Sequence, residues 1–351
     1  MPVEIIEAAD PLTAMVRFRT STVYEMLVSL HTLQAARRHH DWVNAARLTL
    51  GADFVAELKA MYGPCNDGSC LFEFPVDYQN HDDVPGFIRY VRDMDAVTFI
   101  FYFIGRTLSR EQIAENGIDA EAIVAAVSND SHHACLPSSY LEWALTDLPA
   151  YQKRLTDLWE RYWNTFFNQQ LEMLSDYWTD AIAEKERILA RGGGYGLLEF
   201  VTGKTELPRN LPVDQPVSEI VFVPLYYVSA KCYMFFGYGN ETIMFDSSLS
   251  EERATAINEN KERALEIAKA LGDGTRLNIL RLIAQQGHHM HGKRIASQLN
   301  LSASAVSRQL AQLRDSGLIA EDPHENQTVA YHLVTEAITS LPEKMLDYLF
   351  S

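Results

Sequence analysis

The most constraining feature of the sequence is a series of short helical patterns near the C-terminus, joined by very short connections. Lys293 to Leu299 has the period of a short helix, and Asn300-Leu301 leaves room only for a tight turn. Ser302 then suits the N-cap of a further helix that runs to Ser316, because its hydroxyl can accept a hydrogen bond from an N–H of the first turn. Two helices joined by three or four residues are the pattern of a helix-turn-helix.

The flanking segments extend this pattern. One helix ends at Gly272 and another begins near Thr275, ahead of the two helices. Leu318 to Glu321 and Thr328 to Leu333 flank a turn and predict a hairpin, and Val334 to Phe350 has the period of an amphipathic helix. The C-terminal part of the chain is therefore predicted to be a winged helix-turn-helix, with the hairpin as the wing.

The helix from Ser302 to Ser316 has a polar side that suits DNA. Val306, Leu310 and Leu313 keep a helical apolar period, so the polar side chains point away from the core. A helix fits the major groove, where base edges are distinguishable and the N-terminal residues of the helix face them. Lys293 and Arg294 start the preceding helix and are predicted to contact backbone phosphates. The predicted contacts to bases or phosphates on the second helix are Ser302, Ser304, Ser307, Arg308, Gln309 and Gln312.

The rest of the chain predicts a second domain. A chain of 351 residues suits about two domains. Residues 1–250 are mostly helical in pattern, including Tyr151 to Leu189, and the glycines at 192–194 are expected to end that helix. Short β-branched and aromatic stretches near 217–246 predict a small antiparallel sheet. The fold class is mainly α with small antiparallel β elements: a helical N-terminal domain with a short sheet (1–250), then the winged helix (251–351).

The net charge of −17 is unusual for a nucleic-acid binder, but it is unevenly distributed. Residues 258–351 carry 10 basic and 11 acidic residues, whereas the first 257 carry 20 basic and 36 acidic. Between Thr275 and Ser316 there are six basic residues and one acidic residue, Asp315. Attraction to phosphate is local, on the scale of a Debye length of roughly 8–10 Å. This basic segment is therefore expected to attract DNA despite the acidic total.

Nothing in the sequence predicts a membrane segment or a secreted scaffold. The most apolar stretch, Ala96 to Gly105, spans ten residues, and a transmembrane helix needs roughly 20. The N-terminus, MPVEIIEAAD, lacks the basic and apolar regions of a signal peptide. Four dispersed cysteines do not make a disulfide framework. We expect a cytoplasmic protein without a membrane partner.

Three segments resemble the ArsR-type winged-helix repressors. They are ALGDGTRLNILRLI (Ala270 to Ile283), IASQLNLSASAVSRQLAQLRDSGLI (Ile295 to Ile319) and VAYHL (Val329 to Leu333), and the resemblance covers about 90 residues of the C-terminal part of the chain. The resemblance implies a homodimeric repressor that binds a palindromic operator and is released by a signal. It makes the helix from Ser302 the recognition helix. It also implies a dimer interface built from the terminal helices, around Leu265 and Leu346.

Several positions depart from the family pattern. Gly274 stands where the family usually has proline, and Ala303 and Ala305 stand where polar residues are common. The wing carries acids at 321, 322 and 325, which are expected to repel phosphate. The cysteine pair of the family's metal sensors is absent. The segment IVFVPLYYVSAK, Ile220 to Lys231, resembles an uncharacterised domain that precedes winged helices in some bacterial regulators, and it implies no chemistry.

Two clusters are candidates for ligand binding. His288, His289 and His291 could bind a metal ion, since imidazole suits zinc, copper or nickel. Adjacent histidines rarely face one ion, so a loop near DNA is the alternative interpretation. An aromatic stripe could line a pocket for a small-molecule effector, although such a stripe is also typical of a core. Its members are Trp159, Tyr162, Trp163 and Phe166.

No catalytic motif accompanies these features. The sequence has no phosphate-binding glycine loop, no nucleophile elbow and no HExxH motif. We therefore predict a transcriptional regulator that is not an enzyme and needs no cofactor, with double-stranded DNA, a second copy of the chain and a small-molecule effector as its partners. Two alternatives stay open. One is an enzyme or ligand-binding protein with a DNA-binding tail, and the other is a winged helix for protein contacts that does not bind DNA tightly.

Overall fold

The computed structural model describes residues 10–36, 38–115, 117, 119–128, 136–206, 217–228, 232–237, 240–285, 290–323 and 329–349. The chain divides into two compact units, Met1–Ser250 and Glu251–Ser351. Helices dominate both units and each holds one small sheet, which confirms the mainly α fold class.

The first unit is built from eleven described helices, two 3₁₀ segments and four strands. The helices are α1 (Pro11–Met15), α2 (Thr22–Ala35), α3 (His40–Leu50), α4 (Ala52–Tyr62), α5 (Val84–Arg92), α6 (Ala96–Phe103), α7 (Arg110–Glu115), α8 (Ala120–Ser128), α9 (Ser138–Thr146), α10 (Leu148–Thr165) and α11 (Leu171–Thr202). The 3₁₀ segments are Gly63–Glu73 and Phe167–Gln170, and the strands are β1 (Val16–Phe18), β2 (Glu219–Leu225), β3 (Cys232–Gly237) and β4 (Asn240–Asp246).

Helix α2 forms the centre of this unit. Ser21 caps its start by accepting from Tyr24 N, and all residues from Thr22 to Leu33 are buried. A helix that is apolar around most of its circumference is stable only when other elements cover every side. The single acid within it, Glu25, accepts hydrogen bonds from the backbone N–H groups of Tyr226 and Tyr227 and from Trp178 Nε1. Burial raises the pKa of Glu25 to about 7, and these three donors oppose that shift.

The glycine run does interrupt the long helix, but the chain continues in helical form to Thr202. Gly193 has φ 67° and ψ −172°, which breaks α11 without ending it. The break allows α1 to approach closely: Gly194 N donates to Thr13 Oγ1 at 2.8 Å and Tyr195 N to Asp10 Oδ2 at 3.1 Å. A Cβ at Gly194 would lie 2.7 Å from the backbone carbon of Leu12. The glycines therefore serve close packing as well as the turn.

The sheet of the first unit is mixed, so the prediction of a purely antiparallel arrangement was wrong for this sheet. Its order is β1-β2-β4-β3, in which β1–β2 and β2–β4 are parallel and only β3–β4 is antiparallel. Strand β4 inserts between β2 and β3. Both β2 and β4 are buried along nearly their whole length. Near-continuous apolar runs are typical of strands covered on both faces, which is where parallel pairing occurs.

Glu241, at the second position of β4, is a buried acid inside this sheet. It lies between Ile220 of β2 and Phe236 of β3. Neither carboxylate oxygen has a hydrogen-bond partner among the described residues. Burial raises its pKa to about 7, and the cation of Lys204 opposes this shift. The folded state therefore binds the proton of this carboxyl more tightly than the unfolded chain does. The contribution of this proton to the free energy of unfolding is fully present below the ordinary pKa of 4.5, and it is lost as the pH rises through 7.

The variant Glu241→Gln is therefore expected to stabilise the protein in alkaline buffer. The neutral isostere avoids an ionised buried carboxylate, which costs about 1–3 kcal/mol at pH 8 for a shift of this size. At pH 5, where the wild-type side chain is protonated in the folded state, the difference between the two unfolding temperatures should be small. Thermal unfolding from pH 5 to 8.5 measures the difference, with the exposed Glu186→Gln as the matched control. Parallel pH profiles for wild type and Glu241→Gln would contradict the assignment.

The second unit contains six described helices and a three-stranded sheet. The helices are α12 (Glu251–Leu271), α13 (Gly274–Gln285), α14 (Gly292–Leu299), α15 (Ala303–Asp315), α16 (Thr335–Thr339) and α17 (Leu341–Leu349). The strands are β5 (Met290–His291), β6 (Ile319–Pro323) and β7 (Val329–Leu333), in the antiparallel order β5-β7-β6. Its own core joins α12, α13, α14, α15 and the sheet through residues such as Ile267, Ile283, Leu310 and Leu318.

Candidate nucleic-acid interface

Helices α14 and α15 are joined by a turn of three residues. Asn300 ends α14 in the left-handed conformation, with φ 53° and ψ 44°. Leu301 N donates to Ala296 O at 3.0 Å, and Ser302 caps α15 by accepting from Ala305 N at 3.2 Å. Asparagine tolerates this backbone conformation, which terminates the first helix and redirects the chain. The geometry is the tight helix-turn-helix that the sequence predicts.

One side of α15 is buried and the opposite side is exposed. Val306, Leu310 and Leu313 face the core. Three predicted contact residues, Ser304, Ser307 and Arg308, are exposed on the other side. Within the described part of the chain, Arg308 makes no hydrogen bond or ion pair. Its guanidinium, a planar group of N–H donors, is available to a base edge or a phosphate.

The remaining predicted contacts on α15 have partners in the same unit. The Ser302 hydroxyl forms the cap and also lies 3.1 Å from Ser304 Oγ. Gln312 is exposed, and its Oε1 accepts from Arg276 Nη1 at 2.8 Å. Gln309 is half-buried, and its Oε1 lies 3.3 Å from the same nitrogen. The two glutamines thus flank the exposed face and are held toward α13.

Lys293 and Arg294 are exposed in the first turn of α14. This position, at the start of the helix that precedes the recognition helix, suits contacts to backbone phosphates. For both residues the contact to DNA stays a prediction.

The basic segment offers fewer cations to phosphate than its sequence contains. Arg276 is largely buried, with its side chain 15% exposed. Arg314 pairs with Glu321 of the wing at 2.9 Å and with Asp315 at 3.2 Å. These carboxylates raise the pKa of Arg314 through hydrogen bonds, so its charge is compensated within the domain.

The same contacts moderate the acidity of the wing. Glu321 is paired with Arg314, and Asp322 Oδ2 lies 2.8 Å from His332 Nδ1. The third acid of the wing, Glu325, lies outside the described residues. Two of the three wing acids therefore have basic partners, which reduces the repulsion from phosphate expected from the sequence.

Of the three clustered histidines, His291 lies within the described residues. His291 Nδ1 lies 3.0 Å from Val329 O, which ties β5 to the wing strand β7. His288 and His289 lie outside the described residues. In the described ranges, no three His, Cys, Asp or Glu side chains are grouped so that they could share a metal ion.

The aromatic stripe considered for an effector lies in the core of the first unit. Trp159 is fully buried, and its Nε1 donates to Tyr62 Oη at 2.7 Å. Tyr162 is also fully buried and shares a hydrogen bond of 2.9 Å with Ser29 Oγ. Phe166 is buried, and Trp163 packs against the same core. Their positions favour the core interpretation over a ligand pocket.

The second unit exposes an apolar surface on its terminal helices. Helix α12 packs against α17, and Lys261 Nζ lies 4.8 Å from the ring centroid of Tyr348. Five large apolar side chains on these two helices are 42–63% exposed: Leu265, Met345, Leu346, Tyr348 and Leu349. We call these five residues the terminal-helix patch. Large apolar side chains left exposed on two helices that pack together are typical of a site for protein association.

Sequence reasoning missed the structural role of Arg276. The count of charges treated it as one of six cations near DNA, whereas its guanidinium bonds to main-chain and side-chain oxygens of the domain. A signal was present: the residue follows the end of α12 closely, and arginine near a helix C-terminus can bond the last carbonyls.

Every helix in the described ranges is too short or too polar to cross a lipid bilayer.

A capped, exposed, polar helix that follows a tight turn and precedes a β-hairpin defines a winged helix-turn-helix DNA-binding domain. Residues 273–321 match the family described as bacterial regulatory protein, arsR family. The chain therefore belongs, through its C-terminal unit, to the ArsR family, and it is a DNA-binding transcriptional regulator. No curated protein matches the chain. The solved structure of reduced HlyU from Vibrio cholerae is 32% identical over 27% of this chain and 96% of that chain, with a TM-score of 0.22.

Proposed function

We propose that the protein is a homodimeric repressor that binds a palindromic operator in the cytoplasm and is released by an effector. The observation that carries the proposal is the exposed face of α15, where Ser304, Ser307 and Arg308 are directed away from the core. Hydroxyl and guanidinium groups at the N-terminal part of such a helix are the groups that read base edges in the major groove.

The terminal-helix patch supports the dimer. Leu265, Leu346 and Leu349 are between 50% and 63% exposed in the single chain. A second copy would cover this apolar surface with the identical surface of its own, as a two-fold axis requires. A two-fold dimer presents two recognition helices to successive major grooves, roughly 34 Å apart, and reads a palindrome.

Regulation then requires a ligand that prefers one spacing of the two recognition helices. An effector shifts the equilibrium only by its difference in affinity for the DNA-competent and DNA-incompetent states. We assign this sensing role to the N-terminal unit, or else a role in enlarging the dimer contact. We also propose that the protein has no catalytic activity of its own.

A gel shift with the full-length protein and the DNA upstream of its own gene tests the proposal. We expect a discrete complex that survives an excess of unrelated DNA and weakens steeply with salt, because phosphate contacts release counterions. Footprinting should protect two half-sites related by a two-fold axis, and transcription from this DNA in vitro should fall when the protein is added. Binding that unrelated DNA competes away equally well would favour a winged helix used for protein contacts. An increase in transcription would contradict the repressor assignment.

A further inference from the structure

Arg276 links three parts of the winged-helix unit through one side chain. Its Nε donates to Ala270 O at 2.7 Å, and its Nη2 donates to Lys269 O at 2.8 Å, so it caps the last turn of α12. Its Nη1 donates to Gln312 Oε1 at 2.8 Å and lies 3.3 Å from Gln309 Oε1, both on α15. Asp273 fixes the base of the side chain by accepting from Arg276 N at 3.0 Å.

The chemistry of this contact fixes how the glutamine amides point. A guanidinium carries only donors, so the carbonyl oxygen of each amide must face it and the NH₂ group must point away. Gln312 is exposed, so its NH₂ group is available at the surface beside Arg308. A glutamine free to turn could offer a donor and an acceptor together, which is the pair that recognises adenine. Because its Oε1 accepts from Arg276, Gln312 can offer DNA only the two N–H donors of its amide group.

We infer that Arg276 is a positioning residue for DNA recognition, which sets Gln312 and Gln309 of α15 as hydrogen-bond donors and fixes them to the end of α12. This inference rests on the proposed operator binding. Gln312 then selects acceptors, such as O6 and N7 of guanine, O4 of thymine or a phosphate oxygen. Because α12 carries Leu265 of the terminal-helix patch, the glutamines are also connected to the helix proposed to pair with the second copy.

The burial of Arg276 separates this role from a direct phosphate contact. Its side chain is only 15% exposed, and its three guanidinium nitrogens all have oxygen partners. Arg281 on the same helix is exposed and makes no hydrogen bond or ion pair with any described residue. The two arginines have equal charge and different surroundings, which makes Arg281 a matched control.

The experiment is a double-mutant cycle on operator binding by the full-length protein, with Arg276→Lys and Gln312→Ala. Lysine keeps the charge but cannot bond both carbonyls of α12 and both glutamines at once. We expect Arg276→Lys to weaken binding about tenfold, from the restored freedom of two glutamine side chains. In the Gln312→Ala background the same change should weaken binding only about threefold, through Gln309 alone. Arg281→Lys should leave binding unchanged.

Base preference provides a second measurement. Operators substituted one base pair at a time should show a position where Gln312→Ala removes discrimination, and Arg276→Lys should relax discrimination at that same position. Thermal unfolding of each variant identifies any loss of fold, and Arg276→Gln is the second substitution if lysine unfolds the domain. Equal effects of Arg276→Lys in both backgrounds would overturn the inference, as would wild-type affinity for Arg276→Lys. If the wild-type protein binds no DNA sequence specifically, the proposed function is contradicted. That result is distinct from a failure of the inference about Arg276, which requires a wild-type protein that does bind.

Discussion

Replacing Arg308 by alanine is expected to weaken operator binding by at least about 30-fold, because a single well-placed guanidinium contact to a base contributes about 1–3 kcal/mol in each of the two half-sites. Arg308 lies on the exposed side of α15 and has no partner in the described part of the chain. Its removal therefore breaks no intramolecular contact, and the thermal unfolding temperature should stay the same. Fluorescence anisotropy with a labelled operator, at several salt concentrations, measures the weakening.

The salt series distinguishes the two kinds of contact that Arg308 can make. If Arg308 binds a phosphate, its removal lowers the slope of log affinity against log salt by about 0.9 for each protomer, whereas removal of a base contact leaves the slope unchanged. Arg187→Ala removes an exposed arginine of the N-terminal unit and is the control for the change in net charge. If Arg308→Ala bound the operator with wild-type affinity, the proposed contact between the exposed side of α15 and DNA would be contradicted.

Replacing Leu346 by aspartate is expected to convert the dimer into a monomer and to abolish specific binding. Leu346 is 51% exposed in the single chain and lies within the terminal-helix patch. A carboxylate at that position would be buried in an apolar interface without a partner, which costs several kcal/mol. In a two-fold interface each substitution occurs twice. We expect the dimer dissociation constant to rise at least about 100-fold, since each 1.4 kcal/mol is a factor of ten.

Sedimentation velocity over a range of protein concentrations measures this effect. Leu48→Asp is the matched control, because Leu48 is a leucine of the N-terminal unit that is 85% exposed. It should leave both the sedimentation coefficient and the operator affinity unchanged. A Leu346→Asp protein that remains dimeric would place the association surface elsewhere, and a wild-type protein that sediments as a monomer at all concentrations would contradict the dimer.

The features that the sequence predicted best depend on neighbours along the chain. The Ser302 cap, the turn at Asn300 and the apolar period of α15 are all set within a few residues, so local patterns were sufficient. The sheet of the first unit was harder. Whether β4 pairs with β2 or only with β3 depends on burial by distant helices, and the apolar runs of β2 and β4 were the one available signal.

The details of the site depended on contacts that a linear pattern does not contain. The charge count could not separate Arg276, which is bonded inside the domain, from Arg308, which is exposed. Helical periodicity placed Gln309 among the polar residues of α15 but could not show that it turns toward α13. In the first unit, the spacing of the aromatic stripe is more typical of a core but allowed a pocket as well, and the full burial of Trp159 and Tyr162 favours the core.

The ion pair between Arg314 and Glu321 has a consequence for protein engineering. Helix α15 is bonded to the wing at its C-terminal end and to α13 through its glutamines. Its position and its side-chain orientations therefore depend on residues outside the helix. A chimaera that received only α15 from another regulator would leave Glu321 and Arg276 facing foreign side chains. Transplanting the specificity of this protein therefore requires the helix to be moved together with Arg276 and Glu321 as one graft.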